Sequence, residues 1–266
     1  MADDIFEKFR LDDRVAIVTG GFGILGTEFV QTLRQAGAKV AIFELKEGGT
    51  IDEKIKAYKV DIAKRESIEA AVKDVVQDFG YPRILVNCAA IDFPPSAKGG
   101  GLLETKDDET LFDKVMEVNV KGMELCSQIV AQYMIEGGKG GSIINISSIY
   151  GEVSPDQRIY PKNEKGESFS KPIVYSVSKS AISGMTKYLA AYPNFAKHKI
   201  RVNMLTFGGV FNSQKPDFVD NYSAKVPLGR MARKDEYNGA VLFLASDASS
   251  YMTGANITLD GGYTAL

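Results

Sequence analysis

The chain has 266 residues, of which 44% are hydrophobic and 25% are charged, so it has the composition of a globular protein and not of a disordered or fibrous one. Its 32 lysines and arginines nearly balance its 34 aspartates and glutamates, which argues against a nucleic-acid surface built on bulk positive charge. Apolar runs far shorter than the roughly 18 residues of a spanning helix, and an N-terminus without a signal-peptide pattern, predict a cytoplasmic protein with no membrane segment.

The first predicted element is a strand over residues 15–19 (VAIVT), followed by a glycine cluster and by a helix with Leu25, Phe29 and Leu33 on one side. Further strands are predicted from short apolar runs at 40–43, 58–60, 84–87, 142–146, 200–205 and 256–259. Apolar residues at three- and four-residue spacing predict further helices at 66–79, 108–134, 174–191 and 234–245. Segment 44–57 is too short and too rich in charge and glycine for a full crossover helix, so we expect an abbreviated connection there.

This alternation of strands and helices predicts an α/β fold with a parallel sheet and helices on both faces. The length is compatible with a single domain over residues 1–266. Two stretches, 91–105 and 151–172, are predicted to be long surface loops because they are rich in proline, glycine and charge. Loops of this length inside a compact domain are usually functional or mobile.

The glycine cluster predicts a binding site for the pyrophosphate of a dinucleotide. Glycines leave no Cβ in the way, and free N–H groups at a helix start favour an anion. A tight turn without a ligand is the alternative. Glu44 ends the second strand, where a carboxylate accepts hydrogen bonds from ribose hydroxyls and repels a 2′-phosphate, which favours NAD over NADP. A solvated carboxylate is the alternative there, and the nearby Lys46 leaves NADP open.

Tyr175 and Lys179 are predicted to project from one face at the start of a helix. A neighbouring ammonium favours the phenolate, so this pair could move a proton. The pair follows a strand that ends near Ser148, and in a parallel sheet the ligand lies beyond the carboxyl ends of the strands. A hydroxyl at Ser148 could hold a carbonyl oxygen while Tyr175 transfers the proton.

Together these motifs resemble the short-chain dehydrogenase/reductase family, mostly its commonest, shorter branch. The resemblance covers nearly the whole chain, through RVAIVTG at 14–20, YSVSK at 175–179, RVN at 201–203, TG at 253–254 and DGG at 260–262. It implies a Rossmann-type, doubly wound sheet of about seven strands and a homodimer or homotetramer.

The resemblance also implies the roles of individual residues. Ser148 would polarise the substrate oxygen, Tyr175 would be the general acid/base, Lys179 would lower the Tyr175 pKa and bind the nicotinamide ribose, and Asn119 would complete a water-linked proton path. The implied cofactor-binding set is Tyr175 and Lys179 together with Thr19, Gly20, Gly21, Gly23, Ile24, Leu25, Gly26, Glu44, Asp61, Ile62, Asn87, Ala89, Ala90, Gly208 and Val210.

Some positions depart from the family pattern. The TGxxGxxG spacing is more typical of extended members, while Cys88 and Phe207 stand where the shorter branch usually has asparagine and proline. Ser148 and Tyr175 are also further apart than is usual, so 151–172 is expected to be an insertion beside the active site. The insertion contains four basic residues: Arg158, Lys162, Lys165 and Lys171. These bases would suit a phosphate, carboxylate or nucleotide on the substrate. The alternative is a solvated loop of mixed charge.

These observations predict an NAD-dependent oxidoreductase that interconverts a secondary alcohol and a ketone on a small polar substrate. The SSIYG and FGGVFN segments are loosely similar to those of bacterial sugar-pathway oxidoreductases, which favours a sugar or sugar derivative in carbohydrate metabolism. The substrate loops would be 91–105, 151–172 and 207–229. An epimerase or dehydratase that recycles its own NAD, and a non-catalytic nucleotide-binding protein, are the alternatives. His198 is expected to be exposed, Cys88 and Cys126 to be reduced thiols, and no metal site is expected.

Overall fold

The computed structural model describes residues 4–93, 109–160, 166 and 170–266. The described residues form one eight-stranded sheet in the order β3-β4-β2-β1-β5-β6-β7-β8. Its strands are β1 (Val15–Thr19), β2 (Lys39–Glu44), β3 (Gly49–Asp52), β4 (Ile55–Lys59), β5 (Pro82–Asn87), β6 (Gly141–Ile146), β7 (Ile200–Phe207) and β8 (Asn256–Leu259). The strand order reverses between β1 and β5, the switch point at which ligands bind in open α/β sheets.

Helices cover both faces of this sheet, which confirms the doubly wound α/β prediction. They are α1 (Ile24–Gln35), α2 (Arg65–Phe79), α3 (Glu109–Met116), α4 (Met123–Gly137), α5 (Ile173–Ala190), α6 (Pro193–Lys197), α7 (Pro216–Ser223) and α8 (Asn238–Ala245). The predicted helix at 108–134 is interrupted by a π-helical turn at Glu117–Gly122, and Asp108 lies outside the described residues. No helix in the described part of the chain is long and apolar enough to cross a membrane.

The sheet has one more strand than the resemblance implied. Seven strands pair in parallel, and β3 adds an antiparallel edge by forming a hairpin with β4. The hairpin begins inside segment 44–57, where we expected an abbreviated connection, and ends at Lys59. A Cβ on Gly48 would lie 2.3 Å from the Ala57 carbonyl oxygen, so the hairpin needs glycine to close.

Two apolar layers hold the sheet between its helices. On one face Ile17 and Leu85 pack with residues of α2 and α4, and on the other Val18 packs with α1 and α8 residues such as Phe29 and Val241. The five residues of β1 are all buried, as expected for a parallel strand covered on both faces. This packing leaves the carboxyl ends of the central strands facing one cleft.

Candidate active site

A cleft of about 1390 Å³ lies beyond the carboxyl ends of the strands. One end is lined by the glycine turn and by Glu44, Asp61, Ile62, Ala89 and Ala90. The other end is lined by Ser148, Tyr175, Lys179, Gly208 and Val210, together with the start of α7. The cleft therefore brings together most of the residues predicted from the sequence.

The glycine turn has the geometry that an anion site requires. Gly20 has a φ of +67°, which disfavours other residues, and a Cβ on Gly26 would lie 2.1 Å from the Gly20 carbonyl oxygen. Gly23 caps α1 without a side-chain hydrogen bond, so the N–H groups of Ile24, Leu25 and Gly26 are not capped by a side chain where the helix start meets the cleft. This cradle fits a dinucleotide pyrophosphate, since the helix dipole also favours negative charge there.

Glu44 is fixed at the end of β2. Its Oε1 accepts a hydrogen bond of 3.0 Å from the Leu45 N–H, and its Oε2 accepts one of 3.4 Å from the Phe22 N–H. Lys46 is not among the described residues that line the cleft. Asp61 is held by the Ala63 N–H, which donates to its Oδ1 over 3.1 Å, and Ile62 is nearly buried beside it. The end of the cleft that contains the glycine turn therefore has the carboxylates of Glu44 and Asp61 and the apolar surface of Ile62.

Three predicted cofactor residues lie behind the cleft wall. The Thr19 Oγ1 accepts from the N–H groups of Cys88 (3.1 Å) and Ala89 (3.0 Å) and so fixes the segment after β5. The Asn87 Nδ2 donates to Ser127 Oγ and Asn145 Oδ1, both over 2.9 Å, inside the core. Gly21 lies close to β2, since a Cβ there would be 2.7 Å from the Cγ2 of Ile42. These residues shape the wall, and none of the three is among the residues that line the cleft.

Asn119 lies in the π-helical turn and is fully buried. Its Oδ1 accepts from the Ile91 N–H over 2.7 Å, and its Nδ2 donates to the Ile91 carbonyl (3.0 Å) and to Ser178 Oγ (3.1 Å). The Asn119 side chain thus ties the start of the 91–105 segment to α5. Its part in a water-linked proton path stays a prediction.

Tyr175, Lys179 and Ser148 meet at the floor of the cleft. The Lys179 Nζ donates to the Ile146 carbonyl over 2.9 Å and lies 5.8 Å from the centre of the Tyr175 ring. Burial lowers the pKa of Lys179 to about 8. Burial also raises the pKa of Tyr175, the charge of Asp92 raises it further, and a hydrogen bond with Ser148 lowers it. Tyr175 is therefore a neutral phenol near pH 7 and can donate a proton to an oxygen held in front of it.

Sequence reasoning did not assign Asp92, and it did not determine which way Lys171 points. The Lys171 Nζ lies 4.9 Å from the centre of the Tyr175 ring, pairs with the Asp92 carboxylate and donates to the Phe93 carbonyl over 3.2 Å. The lysine side chain is 7% exposed and that of Asp92 48%. Lys171 precedes Tyr175 by only four residues in the sequence. It lies in a loop, however, and a loop has no periodicity from which the direction of a side chain can be inferred.

The first part of the 151–172 insertion packs against α7. The Tyr160 ring stacks on Phe218 with centroids 5.6 Å apart, and the Asn221 Nδ2 donates to the Ile159 carbonyl over 3.2 Å. Arg158 binds Asp156 over 2.8 Å with 87% of its side chain exposed, so it does not face the cleft. Of the other predicted bases, Lys171 reaches the cleft, whereas Lys162 and Lys165 lie outside the described residues, as do positions 94–105 of the first loop.

The two residues set aside as non-catalytic have ordinary surroundings. Cys88 lines the cleft, and burial raises the pKa of its thiol to about 12, so it is a neutral thiol near pH 7. His198 follows α6 as its C-cap and is half-buried, so the expectation that it is exposed was wrong. Within the described ranges no group of three histidine, cysteine, aspartate or glutamate residues could hold a metal ion.

Known proteins match this chain over nearly its full length. A family model described as enoyl-(acyl carrier protein) reductase matches residues 23–264. An NAD-dependent glycerol dehydrogenase from Listeria innocua is 32% identical over 273 residues, with 97% of each chain covered. The structure of a short-chain dehydrogenase from Leptospira borgpetersenii with bound NAD+ is 34% identical, with a TM-score of 0.84 and coverage of 99% of this chain and 97% of that one. A gluconate 5-dehydrogenase from Burkholderia cenocepacia in complex with NADP and tartrate is 28% identical, with a TM-score of 0.80 and coverage of 99% and 100%.

Proposed function

We propose an activity for this chain, which belongs to the short-chain dehydrogenase/reductase family: the NAD-dependent interconversion of a secondary alcohol and a ketone on a sugar or sugar derivative. The observation that carries the proposal is the position of Tyr175 and Lys179. They lie at one end of a cleft whose other end is the glycine turn, so a dinucleotide bound there would extend toward the Tyr175 hydroxyl.

In this proposal the chain's own residues hold the substrate and move its proton. Ser148 donates a hydrogen bond to the substrate oxygen, and Tyr175 exchanges a proton with that same oxygen. The Lys179 charge stabilises the Tyr175 phenolate that forms when the hydroxyl gives up its proton. A bound nicotinamide supplies the hydride donor or acceptor. The cleft contributes orientation, which converts a bimolecular encounter into a step within one complex.

Glu44 is the basis for proposing NAD as the cofactor. Its carboxylate is fixed by two main-chain N–H groups at the end of β2, where it can accept hydrogen bonds from ribose hydroxyls. A 2′-phosphate at this position would meet a negative charge, and Lys46 is not among the described residues that line the cleft. The Listeria relative is described as NAD-dependent and the Leptospira structure holds NAD+, whereas the Burkholderia structure holds NADP.

The substrate class is proposed from the relatives and from the polar lining of the cleft. The relatives include enzymes described as acting on glycerol and on gluconate. The segments expected to form the substrate walls contribute polar side chains to the cleft, among them Asp92, Lys171 and Gln214. Such side chains suit a substrate that carries several hydroxyl groups.

Two measurements test the proposal. Calorimetry with NADH and NADPH should give at least about tenfold tighter binding of NADH, a difference of roughly 1.4 kcal/mol. A panel of polyols, sugar acids, sugar phosphates and sterols, followed by NADH absorbance, should show oxidation of a polyol or sugar. Turnover without net change in NADH would favour an epimerase or dehydratase. Cofactor binding without turnover of any kind would favour a non-catalytic protein.

We also propose that the protein is a cytoplasmic homodimer or homotetramer. Helix α5 carries large apolar side chains on its outer face that a second copy would cover, including Ile173 at 48% and Tyr188 at 71% exposure. Size-exclusion chromatography with light scattering measures the number of copies. A monomer at micromolar concentration would contradict this part of the proposal.

A further inference from the structure

The ion pair of Lys171 and Asp92 lies beside Tyr175 and has no part in the proton transfer described above. Both residues line the cleft, and the Lys171 ammonium lies over the Tyr175 ring, 4.9 Å from its centre. The charge of Asp92 raises the pKa of both Tyr175 and Lys179. Its carboxylate is therefore close enough to influence a charge on the reacting oxygen. A substrate oxygen at Tyr175 therefore has this pair as its neighbour.

The two partners are not equally accessible. The Lys171 side chain is 7% exposed, and its ammonium is already engaged by the Asp92 carboxylate and by the Phe93 carbonyl. The Asp92 side chain is 48% exposed, so the carboxylate is the group with free hydrogen-bonding capacity toward the cleft. A carboxylate only accepts hydrogen bonds, so it binds hydroxyl groups and repels carboxylates and phosphates.

The other charged side chains described at this end of the cleft are Lys179, Lys215 and Asp217. Lys215 and Asp217 both line the cleft near α7 and balance each other in formal charge. The Lys179 ammonium is buried and donates to the Ile146 carbonyl, and Arg158 faces outward with Asp156. Beside Tyr175 itself, an anionic substrate would thus meet an exposed carboxylate whose own counter-ion, Lys171, is covered.

We infer that Asp92 is a specificity-determining residue that selects uncharged polyhydroxyl substrates over their carboxylate or phosphate counterparts, and that Lys171 is the positioning residue that holds it. This inference rests on the proposed function, because it names the substrate class of that same site. It also separates this chain from its gluconate 5-dehydrogenase relative, whose named substrate is a sugar acid.

The test compares matched substrates that differ in one charged group. Oxidation of sorbitol against gluconate, and of xylitol against xylonate, is followed with NAD in the wild-type enzyme and in Asp92→Asn. We expect the wild type to prefer the neutral member by at least about tenfold in kcat/KM, and Asp92→Asn to reduce that preference at least about fivefold through KM, because the repelling charge is gone.

Two further variants control for effects that are not specific to Asp92. Asp217→Asn removes a different carboxylate from the same cleft, and we expect it to change the preference less than about threefold. Lys171→Met keeps the covered stem but leaves Asp92 without its counter-charge, so we expect discrimination against the acids to increase. Thermal unfolding of each variant checks that it is folded.

The outcomes separate the inference from the function on which it rests. A wild-type preference for the acids, lost in Lys171→Met, would overturn the inference and make Lys171 an anion ligand while leaving the oxidoreductase proposal intact. An equal effect of Asp217→Asn and Asp92→Asn would also overturn it, since the preference would then come from the overall charge of the cleft. Oxidation of apolar alcohols but of no polyol would overturn the substrate class alone. No oxidation of any alcohol would overturn the proposed function and the inference with it.

Discussion

The ammonium nitrogen of Lys179 lies 5.8 Å from the centre of the Tyr175 ring, one turn further along α5. The same nitrogen donates to the carbonyl of Ile146 at the end of β6, so the lysine is fixed between the sheet and the helix. Because the charge is fixed and buried, it acts on the phenol through a poorly screened medium. This geometry makes Tyr175 the residue whose loss should affect the chemistry most directly.

We expect Tyr175→Phe to lower kcat by at least about a hundredfold, because the ring is kept and the transferable proton is removed. Calorimetry should show that NADH affinity is largely kept. Tyr251→Phe is the matched control, since Tyr251 is fully exposed, does not line the cleft and should keep full activity. Retention of most activity in Tyr175→Phe would refute the acid/base role.

Lys179→Met should make the protein without cofactor more stable near pH 7 while it abolishes activity. Burial lowers the Lys179 pKa from 10.5 to about 8, so below pH 8 the folded state bears the cost of a buried charge that the unfolded state avoids. Removing the charge removes that cost, but the variant also loses the hydrogen bond to the Ile146 carbonyl, which makes the gain smaller. We expect a gain of about 1–3 kcal/mol in the free energy of unfolding.

The pH dependence of this gain in stability distinguishes an effect of charge from an effect of packing. Between pH 8 and 10.5 the folded wild type loses the proton before the unfolded chain does, so its penalty falls and the advantage of Lys179→Met shrinks. Urea unfolding at pH 7 and pH 10 measures both values. Lys187→Met, at an exposed position of the same helix, should show no such trend. An advantage that does not change with pH would mean that packing, and not charge, is responsible.

The central fold could be predicted because its strands are buried on both faces. The apolar runs at 15–19 and 256–259 coincide with β1 and β8, and the other runs fall inside longer strands except 58–60, which extends one residue beyond β4. The pair at Tyr175 and Lys179 could be predicted because helical spacing fixes two side chains relative to each other. Both predictions depend on local periodicity, which the sequence shows directly.

The part of the cleft proposed to bind the substrate was less predictable, because contacts between residues far apart in sequence form it. Helix α7 lies inside a segment expected to be a loop, and it is held by aromatic stacking of Phe218 on Tyr160 from the insertion. Lys171 reaches the cleft because Asp92, far from it in sequence, offers a carboxylate. No periodic pattern encodes such partners. Strand β3 was missed because the edge strand is mostly exposed and lacks an apolar run.

Glu44→Ala should narrow the preference for NADH over NADPH. The variant removes a carboxylate that, in the proposed cofactor site, would repel a 2′-phosphate and accept hydrogen bonds from ribose hydroxyls, so NADH should bind more weakly and NADPH more tightly. Calorimetry gives both dissociation constants. Glu47→Ala removes a carboxylate with 83% exposure from the loop that follows β2 and should leave the ratio unchanged. An unchanged ratio in Glu44→Ala would remove that residue from the cofactor argument.

Gly26→Ala should weaken cofactor binding and destabilise the fold together. The added Cβ would lie 2.1 Å from the Gly20 carbonyl oxygen, so either α1 or the glycine turn must move. We expect at least about tenfold weaker NADH binding and a loss of about 1–3 kcal/mol in the free energy of unfolding. Gly239→Ala in α8 is the matched control, because its added Cβ would have no neighbour within 4 Å apart from the adjoining helix backbone. That control should gain up to about 1 kcal/mol from helix propensity and bind NADH normally. Equal affinity in both variants would show that the close approach of α1 to the turn is not what shapes the pyrophosphate site.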